Sequence, residues 1–212
     1  MATETSTPID TTSFTDPIPV PTHGPSGVFA VKSAIHISAR PETVSRVVLD
    51  PSSYPRWSTF TPCVEIVFQP EAARNAIWPG PNDLHPGTKF TQTVYMTGNG
   101  LKPDAKVSES RQNPIEVTFV DRLGEVEGDG REGFRIAWKA TAFSNWVMRS
   151  ERVQELVDDG QGGTQYITWE TFGGPLAHII KWVVGAQLVE RFRDTGRDLK
   201  AYVEGLQQDG QN

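Results

Sequence analysis

The stretch "VMRSERV", residues 147–153, sets two arginines and a glutamate inside a run of strand-forming residues. An arginine carried into an apolar interior binds an oxyanion or carboxylate through its planar fork of donors. A glutamate in the same place can move a proton, because burial works against its charged form. Two parities compete for this strand. One turns Arg149 and Glu151 inward with Val147 and Val153; the other turns Trp146, Met148, Ser150 and Arg152 inward. A period of two does not choose between them, and exposed ion pairs are the competing reading of both arginines. Gln92 and Glu109 fall on the apparent inner faces of their own strands, where an unpaired carboxylate is expensive. His178 joins the set if the apolar stripe of the last helix extends back to it, and faces solvent otherwise.

Other chemistries find little support. The four histidines, His23, His36, His85 and His178, are far apart, and no His/Cys spacing matches a zinc motif, so no metal site is expected. "DGQGGT" precedes a strand rather than a helix, which makes it a hairpin loop and not a phosphate cradle. No cofactor is expected. The single cysteine, Cys63, forms no internal disulfide and has no histidine nearby in sequence. The net charge of -6 and the absence of a basic run argue against nucleic acid as a partner. The most apolar window, residues 175–189, is short and contains Lys181, which argues against a membrane span. With no signal-like start, a cytoplasmic protein is expected.

The elements that must position these residues follow from periodicity. Residues 1–26 are rich in Thr, Pro and Ser and read as a flexible leader; the rival is an arm that packs Phe14, Ile18 or Val20 over the domain. Phe29, Val31, Ser33, Ile35 and Ile37 alternate as a half-buried strand. "RPETVSRVVLD" reads as a short helix, and Asp50 caps a second, very short one. Strands are then expected over "TPCVEIVFQ", "GTKFTQTVYMT", weakly "DAKVSESR", "PIEVTFVDR", "EGFRIAWKA", "NWVMRSERVQELVDD" and "TQYITWETF". Phe134, Ile136 and Trp138 share one face, as do Ile115, Val117 and Phe119. A long Pro- and Gly-rich loop carries Trp78. A helix follows Gly173, Gly174 and Pro175, and its apolar stripe shifts near Gly185. The domain is expected over 27–206, with a tail from 207 to 212.

This order, carried by "ARPETVSRVVLDPSSYPRWSTFTP", "LHPGTKF" and "RSERVQELVDDGQGGTQYITWETFGGPLA", resembles the START-related superfamily (SRPBCC), which includes birch-pollen-allergen-like and polyketide cyclase/dehydrase-like proteins. The resemblance implies an α+β helix-grip fold: a curved antiparallel sheet of about seven strands around a long C-terminal helix, with two short helices after the first strand. It also implies a cavity between sheet and helix that takes hydrophobic small molecules. It transfers no catalytic set, because fold alone does not fix function.

Within such a fold, Trp57, Phe60, Trp78, Phe90, Gln92, Trp138, Trp146, Met148, Trp169, Ile180, Trp182 and Val183 are candidates for the cavity wall. Plain core packing is the alternative for the aromatics. In "YPRWSTF", Trp57 and Phe60 are expected at the cavity edge, with Trp78 as part of a gate. Two functions fit. The first is a cofactor-independent cyclase, dehydratase or isomerase of a polyketide- or terpenoid-like molecule. There Arg149 or Arg152 would stabilise an enolate, and Glu109, Glu151 or His178 would move protons. The second is a non-catalytic carrier of a lipid, quinone or sterol. Membrane contact is compatible with the second but not required by either, and both a monomer and a homodimer remain open.

Overall fold

The alternating residues Phe29–Ile37 form strand β2, but the chain before it is not free. In the computed structural model, which describes residues 10–76, 78–124 and 132–209, Thr11–Thr15 form strand β1, antiparallel to β2 with Phe14 opposite Val31. Residues 18–22 then cross the outer face of the sheet. The leader expected over 1–26 is therefore replaced, from residue 10 onward, by the arm reading. Composition argued for flexibility, but a few backbone and side-chain contacts suffice to fix an edge.

Helix α1 (Pro41–Leu49) buries Val44, Val47, Val48 and Leu49. A 3-10 turn over Pro51–Arg56 follows, where the Ser52 amide donates to Asp50 Oδ1 at 2.8 Å, the expected cap. Six more strands complete the sheet: β3 (Cys63–Phe68), β4 (Lys89–Tyr95), β5 (Ser110–Leu123), β6 (Gly133–Ala140), β7 (Arg149–Asp158) and β8 (Thr164–Gly173). The order β1-β2-β8-β7-β6-β5-β4-β3 is antiparallel throughout. The weak strand "DAKVSESR" is instead a 3-10 turn at Val107–Glu109 that leads into β5. Strand β5 runs through Pro114, whose carbonyl accepts from the Thr141 amide. The missing N–H lies on that same side, at the end of β6, so the β4 ladder loses nothing.

One register expectation fails for a local reason. A β-bulge between Val117 and Phe119 leaves Ile115 and Val117 inside and turns Phe119 to the outer face.

Helix α2 (Pro175–Asp209) fills the concave side of the sheet and extends into the expected tail. Gly174, at φ +87°, makes the turn into it; a Cβ there would lie 2.6 Å from the Val147 carbonyl oxygen. The stripe shift at Gly185 is not a break. Phe14 of β1 packs there, and a Cβ on Gly185 would meet its ring at 2.7 Å. The first half of α2 is thus covered by the arm as well as by the sheet. The second half contributes Leu199 and Val203 to one core with Phe134, Ile136, Phe90 and α1. This is the helix-grip α+β fold. No helix of the described residues is long and apolar enough to cross a membrane.

Candidate functional site

The concave side of the sheet is filled at one end only. At the other, the first half of α2 stands off strands β4 to β8 and leaves a cavity of about 590 Å³. Its walls are largely apolar, with Trp138, Met148, Phe172, Ile180, Val184 and Leu188 among them. Small-molecule sites are of this size and character.

The polar groups inside come from the inner faces of two paired strands. On β7 the inward parity is Ser150, Arg152, Gln154 and Leu156; on β8 it is Tyr166, Thr168, Glu170 and Phe172. Arg152 lies opposite Glu170, and Ser150 opposite Phe172. The Arg152 guanidinium is held from two sides: Nε donates to Thr168 Oγ1 at 3.1 Å, and Cζ lies 4.3 Å from the centre of the Phe192 ring. Deeper in, the Tyr166 hydroxyl donates to Gln154 Oε1 at 2.7 Å. Glu170 keeps part of its surface accessible as cavity wall. Protein surrounds it deeply enough that burial pushes its carboxyl above the ordinary range, against the opposing field of Arg152 and a hydrogen bond from Ser150. Gln92 presents its amide from β4. Among the described residues no group of three or more His, Cys, Asp or Glu is placed to hold a metal ion.

Of the residues singled out from sequence, Phe60, Gln92, Trp138, Met148, Arg152 and Ile180 line this cavity. The others lie elsewhere. Glu109 is exposed in the turn before β5 and accepts from Asn99 Nδ2 at 3.2 Å. Arg149 points to the arm, where Nη2 donates to Ser26 Oγ at 3.3 Å. Glu151 is 0% exposed but on the convex face. There its carboxylate accepts from the Thr22 amide (2.8 Å), the Thr22 hydroxyl (2.6 Å) and the Thr118 hydroxyl (2.6 Å). It anchors the arm and moves no proton in the cavity. His178 is exposed on α2.

Among the aromatics, Trp57 belongs to the packed core: its ring lies 4.8 Å from that of Tyr54 and its Nε1 donates to Ser53 Oγ at 3.0 Å. Trp78 is half-buried against Phe134, ring centres 4.8 Å apart, at the filled end of the fold. Phe90 is core, edge-on to Trp138. The gate expected from Trp57 and Trp78 is absent because both pack at the wrong end. Trp169 packs outside, its Nε1 donating to the Pro19 carbonyl at 3.2 Å. Trp146, Trp182 and Val183 are exposed.

Sequence reading missed Glu170, Thr168, Phe192 and Arg111, the last an exposed residue at the cavity mouth. The alternation Tyr166, Thr168, Glu170, Phe172 carried the signal. Its rival, Ile167, Trp169, Thr171, is equally apolar because the arm covers that face too.

No family model matches the chain. Over 184 residues it is 30% identical to the oxopyrrolidines biosynthesis cluster protein O of Penicillium oxalicum, covering 82% of this chain and 85% of that one. Three solved structures share its fold at low identity. A hypothetical protein from Helicobacter pylori has a TM-score of 0.57 at 13% identity, covering 81% of this chain and 86% of the other. The Zhui aromatase/cyclase from Streptomyces sp. R1128 has a TM-score of 0.54 at 12% identity, covering 82% and 93%. The norcoclaurine synthase of Thalictrum flavum has a TM-score of 0.51 at 10% identity, covering 93% and 98%.

Proposed function

We propose that the chain, which belongs to one family with the oxopyrrolidines biosynthesis cluster protein O and shares the helix-grip fold of START-related proteins, is a cofactor-independent, cyclase-like enzyme of a biosynthetic pathway. Its substrate is a hydrophobic, oxygenated small molecule. The observation that carries this reading is the meeting of Glu170 and Arg152 on neighbouring strands inside largely apolar walls.

The chemistry follows from those groups. The ionised form of Glu170 takes a proton from a carbon beside a carbonyl. The electron pair moves onto the carbonyl oxygen, and Arg152 stabilises the enolate. The enolate carbon attacks a second carbonyl carbon of the same molecule and closes a ring; the new alkoxide takes a proton back from Glu170. Glu170, ionised again, then removes the second proton from the same α-carbon; the C=C bond forms as the hydroxyl takes that proton and leaves as water, with no oxidant required. The apolar walls hold one folded conformer, which makes the closure effectively unimolecular. A carboxyl whose pKa is raised by burial suits both proton steps.

The test is α-proton exchange. Incubation of 1-phenylbutane-1,3-dione with the protein in heavy water, followed by NMR, reads proton abstraction without knowledge of the natural substrate. Exchange at the terminal methyl is expected to be faster with protein than without, and to fall roughly 100-fold or more in Glu170→Gln. Exchange that is unaffected by this change counts against the enzyme.

One observation favours a carrier as the second reading. Phe143, Trp146, Ile179, Trp182 and Val183, on or beside the cavity-lining segments of the α2 half and the loop after β6, are all exposed. An apolar rim of this kind eases exchange of a hydrophobic ligand with another apolar surface. A carrier binds its ligand with or without Glu170 and exchanges no protons.

A further inference from the structure

The cavity wall contains a cation that no ion pair closes. Arg152 is 8% exposed. Its Nε has Thr168 and its face has Phe192, but Nη2 has no hydrogen-bond acceptor. Thr168 adds no charge, since its hydroxyl donates to the Val153 carbonyl at 2.9 Å. Among the described residues no carboxylate forms an ion pair with Arg152.

Other well-covered arginines of this fold are compensated. Arg135, on the convex face, pairs with Glu155 at 2.6 Å. Arg191, on α2, pairs with Asp194 at 2.8 Å. An uncompensated guanidinium out of water is costly, and proteins rarely keep one without a partner.

The remaining charge in the cavity does not solve the problem. Among the described residues, the ionisable ones of its lining are Arg111, Arg152 and Glu170. Glu170 faces Arg152 across the strand pair without closing an ion pair, and burial favours its neutral form. Even with Glu170 ionised, two cations face one anion, in a protein whose net charge is -6. The local sign is opposite to the global one. Arg111, exposed at the mouth, continues the positive path outward, as electrostatic steering of an anion requires.

We propose that the ligand of this cavity is an anion: a ring-bearing hydrophobic molecule whose carboxylate or enolate oxygen docks on the Arg152 guanidinium and supplies the charge that the chain omits. This rests on the cavity reading above and names its substrate class. The planar guanidinium suits a delocalised oxyanion better than a lone hydroxyl. A neutral hydrocarbon or a sterol would leave Arg152 uncompensated.

The experiment is calorimetric titration of the full chain at neutral pH with three probes of similar size. These are anthracene-2-carboxylate, its neutral carboxamide, and 2-acetylindane-1,3-dione, which is ionised as an enolate under these conditions. At least one anion is expected to bind at least about tenfold more tightly than the carboxamide, and which anion wins separates carboxylate from enolate. In Arg152→Met the preference is expected to vanish while carboxamide affinity holds. The ligand-free variant is expected to melt higher than the natural protein, because the uncompensated charge is gone. Arg152→Gln repeats the binding test if the methionine variant does not fold. Equal binding of anions and carboxamide to the natural protein overturns the anion claim and leaves the cavity reading standing. An anion preference that survives both variants overturns the role of Arg152. If no probe binds, the cavity reading and the anion claim fall together. Proton exchange plays no part here, so an inactive protein that prefers anions contradicts the enzyme alone.

Discussion

The two halves of the concave space are built from the same strands and the same helix, yet one is solid and the other hollow. Around the second half of α2, the core interleaves Leu199 and Val203 with Phe134, Ile136, Phe90, Tyr54 and Trp57, and α1 closes the end. Around the first half, Ile180, Val184 and Leu188 pack with Phe29, Phe172 and Phe192 on one side only, and on the other they line a cavity of about 590 Å³. The solid half stabilises the fold, so the hollow half is free to keep groups that work against it. Ser150, Arg152 and Glu170 line it. Stability and chemistry are separated along one helix.

The largest expected effect breaks this contrast if it is wrong. Phe134→Ala in the solid half should cost about 3–5 kcal/mol in chemical denaturation, because it leaves a void in a close-packed core. Ile180→Ala in the hollow half should cost less than about 1.5 kcal/mol, since it only enlarges an existing space. Similar losses at both positions would mean that the cavity is not open in solution.

The next effect concerns the convex face. Glu151→Ala removes the acceptor of three hydrogen bonds that tie the arm and Thr118 to β7. A loss of roughly 2–3 kcal/mol is expected, with faster protease cleavage near residues 18–22. Unchanged cleavage would show that the arm is held by its apolar contacts alone.

A smaller, pH-dependent effect belongs to Glu170. Its folded-state pKa is raised above the ordinary carboxyl value of 4.5, chiefly by burial. A raised value favours the protonated form in the folded state. The stabilisation is therefore complete below the ordinary value and is lost as pH rises through the folded one. Relative to Glu170→Gln, the natural protein should lose stability as pH climbs from about 4 toward neutrality. A stability difference that is flat with pH contradicts the burial of this carboxyl. The smallest effect is at the rim: Trp182 is 86% exposed, and Trp182→Ser should change stability by no more than about 0.5 kcal/mol.

Much of the fold was legible because most strands and both helices obey a simple period. Phe134, Ile136 and Trp138 face the helix as their alternation requires, and Asp50 caps the turn after α1. The failures have physical causes. On β7 and β8 both faces are buried, one by α2 and one by the arm, so alternation lost its contrast. That is why Glu151 and Arg152 looked equivalent, and why Trp169 stood in for its neighbour Glu170. The bulge at residues 117–119 moved Phe119 outward with no warning in residue type. Proline-framed aromatics suit a rim, which is what points Trp57 to the mouth; its neighbours Tyr54 and Ser53 give it a core site instead. Thr and Pro dominate the arm and hide its order, although Phe14 and Val20 carry its docking contacts.

The most direct measurement is an amide chemical-shift titration of the full chain with anthracene-2-carboxylate. Shifts are expected at Ser150, Arg152, Glu170, Ile180 and Val184, with Ile136, Leu199 and Val203 of the solid half unmoved. Shifts confined to Val20, Val153 and Trp169 on the convex face, or spread evenly over both halves, would contradict a single hollow, anion-binding half.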